Sequence, residues 1–106
     1  MGTRRICVGA LEDLPLRRGR LVRDGMDEIA VWQADGRVYA ISAVCAHQHT
    51  ATLHEGTRHG TMVTCPLHGW IYSLETGCAV AGSGVLKTYP VKVERGVVYV
   101  EIDDEE

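Results

Sequence analysis

Between positions 45 and 68 the chain reads CAHQHTATLHEGTRHGTMVTCPLH, and no other stretch constrains it as tightly. Cys45 and His47 form one pair of soft donors, Cys65 and His68 a second, with the 17 residues 48 to 64 between them. Each pair joins a thiolate to an imidazole, so the chain holds a binding site in two halves, carried on two loops. Two irons bridged by two sulfides need two protein ligands each, and these four complete both tetrahedral shells. Two thiolates and two imidazoles also complete one tetrahedral zinc shell, which would make the chain a zinc-stapled binding module. Structural zinc sites pair like with like, as C-x2-4-C and H-x3-5-H, whereas each half here mixes the two types. The mixed pairing favours iron and sulfide.

The rest of the chain is consistent with a small carrier of such a site. Its 106 residues suffice for one domain with one core, spanning 1–106, and 45% of them are apolar against 24% charged, as in ordinary globular proteins. No apolar run reaches the roughly 18 residues of a membrane span, and MGTRRICVGA lacks a signal-peptide core. The expected compartment is the cytoplasm, without membrane contact. A formal net charge of -3, with Arg4-Arg5 and Arg17-Arg18-Gly19-Arg20 interleaved with acids, gives no footprint for nucleic acid. Two of the four cysteines belong to the ligand pairs. Cys7 and Cys78 remain, and in a reducing compartment they read as small buried hydrophobes rather than a disulfide.

Along the chain, strands are expected over residues 4–10, 20–23, 28–34 and 38–44, the last two joined at Asp35-Gly36, a strong hairpin signal. A single helical turn is expected within 49–54, then strands over 61–64 and 70–73, a turn at Thr76-Gly77 and a flexible loop over 79–84. A final hairpin is expected from 87–94 and 97–102 around Arg95-Gly96. Short strands, glycine turns and no helix of ordinary length predict an all-β antiparallel sandwich or barrel. Trp32 is expected in the core. Trp70 and Tyr72 share one side of their strand, against the core or against the ligand loops. His54 and His59, without a ligand-spaced partner, are expected at the surface.

The pattern C-x-H, 17 residues, then C-x-x-H followed by Gly69-Trp70 resembles the Rieske [2Fe–2S] family, in particular its soluble ferredoxins. The resemblance implies an antiparallel β fold with a small cluster-binding subdomain at one tip, its loops within 44–70. It implies that Cys45, His47, Cys65 and His68 hold one [2Fe–2S] cluster, with the edges of both histidines at the surface. It further implies an electron carrier rather than an enzyme, monomeric and taking single electrons from a flavin-dependent NAD(P)H reductase to a terminal oxygenase. The alternative within redox chemistry is a small subunit resembling that of assimilatory nitrite reductase.

Two thiolates leave the oxidised cluster formally near zero charge, whereas four would leave it near minus two, so an electron is added more easily here. High-potential members carry an additional disulfide at the positions held here by Thr50 and Leu67, and a serine donor where this chain has Trp70. Their lack places the potential near the low end of the Rieske range, about -150 mV. Gln48-His49 follows the first ligand pair where relatives have a tight turn, which makes His49 the alternative to His47. The segment AVAGSG stands where relatives place covering prolines, and its glycines imply a mobile cover.

Overall fold

The computed structural model describes residues 2–14, 18–25, 27–34, 36–44, 52–66 and 69–104. The described strands are β1 (Gly2–Ala10), β2 (Arg20–Asp24), β3 (Asp27–Ala34), β4 (Arg37–Ser42), β5 (Thr57–His59), β6 (Met62–Thr64), β7 (Ile71–Ser73), β8 (Ala79–Ala81), β9 (Thr88–Tyr89), β10 (Val91–Glu94) and β11 (Val97–Asp104). Single 3-10 turns at Leu53–Glu55 and Leu11–Asp13 are the helical elements among the described residues. The strands form three antiparallel sheets, ordered β1-β11-β10, β2-β3-β4-β9 and β5-β6-β7-β8.

The middle sheet is buried on both faces, and the composition of β3 shows why. Successive residues of a strand point to opposite faces, so Ile29 and Val31 face one way and Ala30 and Trp32 the other. Ile29 and Val31 join Ala40, Val98, Val100 and Ile102 in the core against the β1-β11-β10 sheet. Ala30 and Trp32 join Ile41, Leu53, Val63, Tyr72 and Leu74 in a second core against the β5-β6-β7-β8 sheet. An apolar strand with no polar alternation is what a central layer requires. Trp32 is fully buried, as expected.

The residues expected to form one strand over 87–94 form two. Pro90 has no amide hydrogen to donate, so the ladder breaks there. β9 pairs with β4 in the middle sheet, β10 pairs with β11 in the outer one, and the Pro90 carbonyl accepts the Glu101 amide. The chain turns the corner between two sheets at this residue. The hairpin that follows closes on Arg95 and Gly96, both at positive φ, as a two-residue turn with right-handed strand twist demands. Asp35 lies outside the described residues, but Gly36 has a φ of 81° and Ala34 pairs with Arg37, consistent with the expected hairpin.

Both leftover cysteines are exposed and neither is in a disulfide, which corrects the expectation that they are buried. Cys7 sits between Ile6 and Val8, which pack on the core, so strand alternation turns its own side chain outward.

Candidate metal centre

Of the four predicted ligands, Cys65 is described; Cys45, His47 and His68 lie outside the described residues, as do His49, Thr50 and Leu67. Accordingly, no group of three metal-ligating side chains occurs among the described residues. The structure does show what anchors each ligand loop.

The first loop leaves the middle sheet after β4. Ala43 is fully buried, and its carbonyl accepts the amides of both Thr52 and Leu53, at 3.1 and 3.0 Å. The chain therefore returns at Thr52 to the point it left at Ala43, and Cys45 and His47 fall between these two positions in the sequence. The second loop leaves β6 at Cys65. The Cys65 amide donates to the Trp70 carbonyl at 2.7 Å, and the Gly69 amide donates to the Cys65 carbonyl at 3.1 Å. Gly69 takes a φ of 73°, a conformation that favours glycine. Cys65 is thus tied by backbone hydrogen bonds to Gly69 and Trp70, the two residues that follow the predicted ligand His68 in the sequence.

Gly56 brings the two necks together. It ends the Leu53–Glu55 turn, where its amide donates to the Leu53 carbonyl. A Cβ at this position would fall inside 3.0 Å of the Thr64 carbonyl oxygen, the residue before Cys65. Only glycine lets the end of the first loop approach the start of the second so closely. Ala43, Leu53 and Cys65 accordingly share one buried cluster.

The Cys65 residue is 1% exposed, a soft sulfur donor held at the mouth of a closed loop. That setting fits a cluster ligand, because burial of a thiolate is stabilised when a metal neutralises it. Trp70 and Tyr72 pack in the same cluster as Cys65, so the core and the ligand loop lie against the same side of β7.

The family model described as Rieske [2Fe-2S] domain matches residues 4–90. The chain belongs to the Rieske family. It is 35% identical over 102 residues to the 3-phenylpropionate/cinnamic acid dioxygenase ferredoxin subunit of Photorhabdus laumondii, covering 93% of this chain and 95% of that one. Among solved structures it resembles a chain from the complex of reduced oxygenase and oxidized ferredoxin in carbazole 1,9a-dioxygenase, with a TM-score of 0.83 and 32% identity, over 90% of this chain and 99% of the other. It also shares its fold with a Mycobacterium tuberculosis chain described as an NADH-dependent nitrite reductase small subunit, with a TM-score of 0.88 and 23% identity, over 99% and 100% of the two chains. Membership implies one [2Fe–2S] cluster, which sets the zinc reading aside.

Around the Rieske site the structure departs from the sequence reading in three places. His54, expected in solvent, has a side chain only 17% exposed, with a buried Nδ1 that has no hydrogen-bond partner and Nε2 3.8 Å from Glu55 Oε2. It sits in the turn at the neck of the first loop, whose carbonyl accepts the Gly19 amide, while His59 is exposed as expected. Residues 57 to 59 form β5, an added edge strand that the reading missed. The segment over 79–84 begins as β8, paired with β7, and folds back through a Cys78–Val85 bridge and an Ala79 amide to Gly84 carbonyl bond of 3.0 Å. Its glycines serve a tight hairpin rather than a loose cover.

Proposed function

We propose that this Rieske protein is an electron-carrying ferredoxin of a multicomponent oxygenase system, with Cys45, His47, Cys65 and His68 as its cluster ligands. The observation that carries the ligand assignment is the junction at Gly56, which joins the necks of the two loops bearing the ligand pairs. The cluster, when bound, accepts one electron and releases it. The chain's part is to hold that chemistry. Cys45 and Cys65 would supply thiolates to that group, and His47 and His68 would supply imidazoles. Burial of Cys65 keeps water from its sulfur.

The relatives' descriptions as dioxygenase ferredoxins support a terminal oxygenase as electron acceptor. A flavin-dependent NAD(P)H reductase is the corresponding donor, and such a chain works in the cytoplasm as a monomer meeting each partner transiently. No helix among the described residues is long and apolar enough to cross a membrane.

The test has two stages. Purified protein should contain about two irons and two acid-labile sulfides per chain. In stopped flow, an NADH-dependent flavin reductase should reduce it, and addition of a terminal Rieske oxygenase should reoxidise it. Protein that elutes only with a large catalytic chain, or is reduced but never reoxidised by an oxygenase, would favour the nitrite-reductase-type subunit instead.

A further inference from the structure

The hairpin over 78–85 meets the second ligand loop at one point, and that point is a glycine against an indole. Gly82 has a φ of 101°, and a Cβ built on it would fall within 3.0 Å of Cγ, Cδ2 and Cε2 of Trp70. The space a side chain would need at Gly82 is therefore taken by the five-membered ring. A turn needing positive φ explains a glycine here, but it does not explain the indole. The approach is a second and independent requirement for the absence of a side chain.

Trp70 is also the residue that closes the Cys65 loop, since its carbonyl accepts the Cys65 amide. Its side chain packs, partly buried, on the cluster that contains Cys65, Tyr72 and Leu86. The hairpin is fixed at its root as well. Leu86 donates to the Gly77 carbonyl at 2.8 Å, and Gly77 lies so close to the Leu86 carbonyl that it too has no room for a Cβ. The segment is thus held at its base by Gly77, along one edge by β7, and at its tip by the indole.

We propose that Gly82 is a positioning residue that seats the Trp70 indole and so locks the 78–85 hairpin onto the Cys65 loop, limiting water at the cluster and holding its reduction potential down. The proposal rests on Cys65 being a cluster ligand. Its physical basis is that solvent exposure is one of the protein's levers on iron–sulfur potentials. The oxidised cluster is formally near neutral and the reduced one negative, so admitted water stabilises the reduced form and raises the potential.

The experiment uses holoprotein variants Gly82→Ala, Trp70→Ala, Trp70→Phe and the double variant Trp70→Ala/Gly82→Ala. Gly60→Ala serves as control, because Gly60 has a φ of 62° but nothing within 4 Å of a built Cβ. Midpoint potential by voltammetry and the electron paramagnetic resonance spectrum of the reduced protein are the readouts, with iron and sulfide assayed in each sample. Gly82→Ala and Trp70→Ala should each raise the potential and shift the resonance spectrum at unchanged iron content, and Trp70→Phe should restore most of both. In the double variant, Gly82→Ala should add nothing to Trp70→Ala, since there is no indole left to displace. Equal Gly82→Ala shifts with and without the indole, or a Gly60→Ala shift of the same size, would reduce the effect to turn strain and overturn the proposal. Should Gly82→Ala not accumulate as holoprotein, the Trp70→Ala and Trp70→Phe pair decides alone: an unchanged potential in both overturns it. A Cys65→Ser protein that kept the wild-type spectrum would instead overturn the ligand assignment, a separate failure.

Discussion

Replacing Gly56 with alanine tests the junction on which the site depends. The backbone at Gly56 has φ -73° and ψ 177°, which alanine adopts freely, so no conformational strain is introduced. In isolation the change would stabilise the fold by about 0.4–1 kcal/mol through the unfolded chain's lost freedom. The steric term opposes this. The new Cβ would overlap the Thr64 carbonyl oxygen by more than 1 Å relative to ordinary contact, and would sit 3.1 Å from the Leu53 carbonyl oxygen. Both obstacles are backbone, so no side-chain rotation relieves them. One is bound into the β5–β6 pairing, where Thr57 is opposite Thr64, and the other belongs to Leu53, itself buried in the cluster with Val63 and Cys65.

Overpacking of this kind costs about 1–3 kcal/mol, and an overlap with two backbone oxygens belongs at the upper end, which leaves a net loss of about 2 kcal/mol. For a domain of this size each kcal/mol lowers Tm by about 4–8 °C. The loss should be accompanied by a change at the cluster, because the displaced carbonyl belongs to the residue before Cys65. Thermal melts by circular dichroism, with visible spectra and iron content on the same samples, measure both. Gly60→Ala provides the contrast: its left-handed backbone costs about 1 kcal/mol, but it touches nothing and should leave the cluster spectrum unchanged. A Gly56→Ala protein with wild-type Tm and an unaltered spectrum would refute the claim that the two loop necks are in contact.

Alanine at His47 or His68 should abolish the Rieske-type visible and electron paramagnetic resonance spectra, whereas alanine at His49 should leave them intact; the reverse pattern would move the ligand. A Cys7→Ser/Cys78→Ser double variant should keep wild-type iron content and midpoint potential, because both thiols are exposed and the proposed four-ligand shell does not use them. Burial, assisted by the neighbouring Asp27 carboxylate, which accepts a hydrogen bond from the phenol, pushes the Tyr89 pKa up from 10.0 to about 12. The unfolded chain releases this proton first, so the stability Tyr89 contributes is complete below pH 10 and is lost as pH rises towards 12. The difference in unfolding free energy between wild type and Tyr89→Phe should therefore shrink as pH rises across that window, measured by urea titration, and a constant difference would contradict the assignment.

The all-β class was legible because its signals are local. Gly36 and the Arg95-Gly96 pair stand where strands reverse, and each has the backbone conformation its residue type implies. The Rieske family was legible for the same reason, since C-x-H and C-x-x-H are short local spacings. Pro90 also carried a readable signal: a residue with no amide hydrogen inside an eight-residue strand marks a break, and here the break moves the chain between sheets. β5 offered less. Thr57, Arg58 and His59 have no apolar alternation, and they become a strand only because Arg58 pairs with Val63 across the Gly60 turn.

The glycines around the site show why the remaining features could not be read from local pattern. Taken alone, glycine states that a side chain is dispensable, and this is equally true of a residue that moves and of one pressed against a neighbour. The glycines of AVAGSG suggest freedom, yet Gly82 is held against an indole twelve positions earlier in the chain, and Gly77 against the Leu86 carbonyl nine positions later. Gly56 carries no turn signal at all, because its φ is ordinary and its necessity lies wholly in the Thr64 carbonyl across the junction. The motif that marks the family is a property of one short stretch and can be read in the sequence. The closeness of the two loops is a property of pairs brought together by the β5-β6-β7-β8 sheet, so it becomes visible only when both partners are placed.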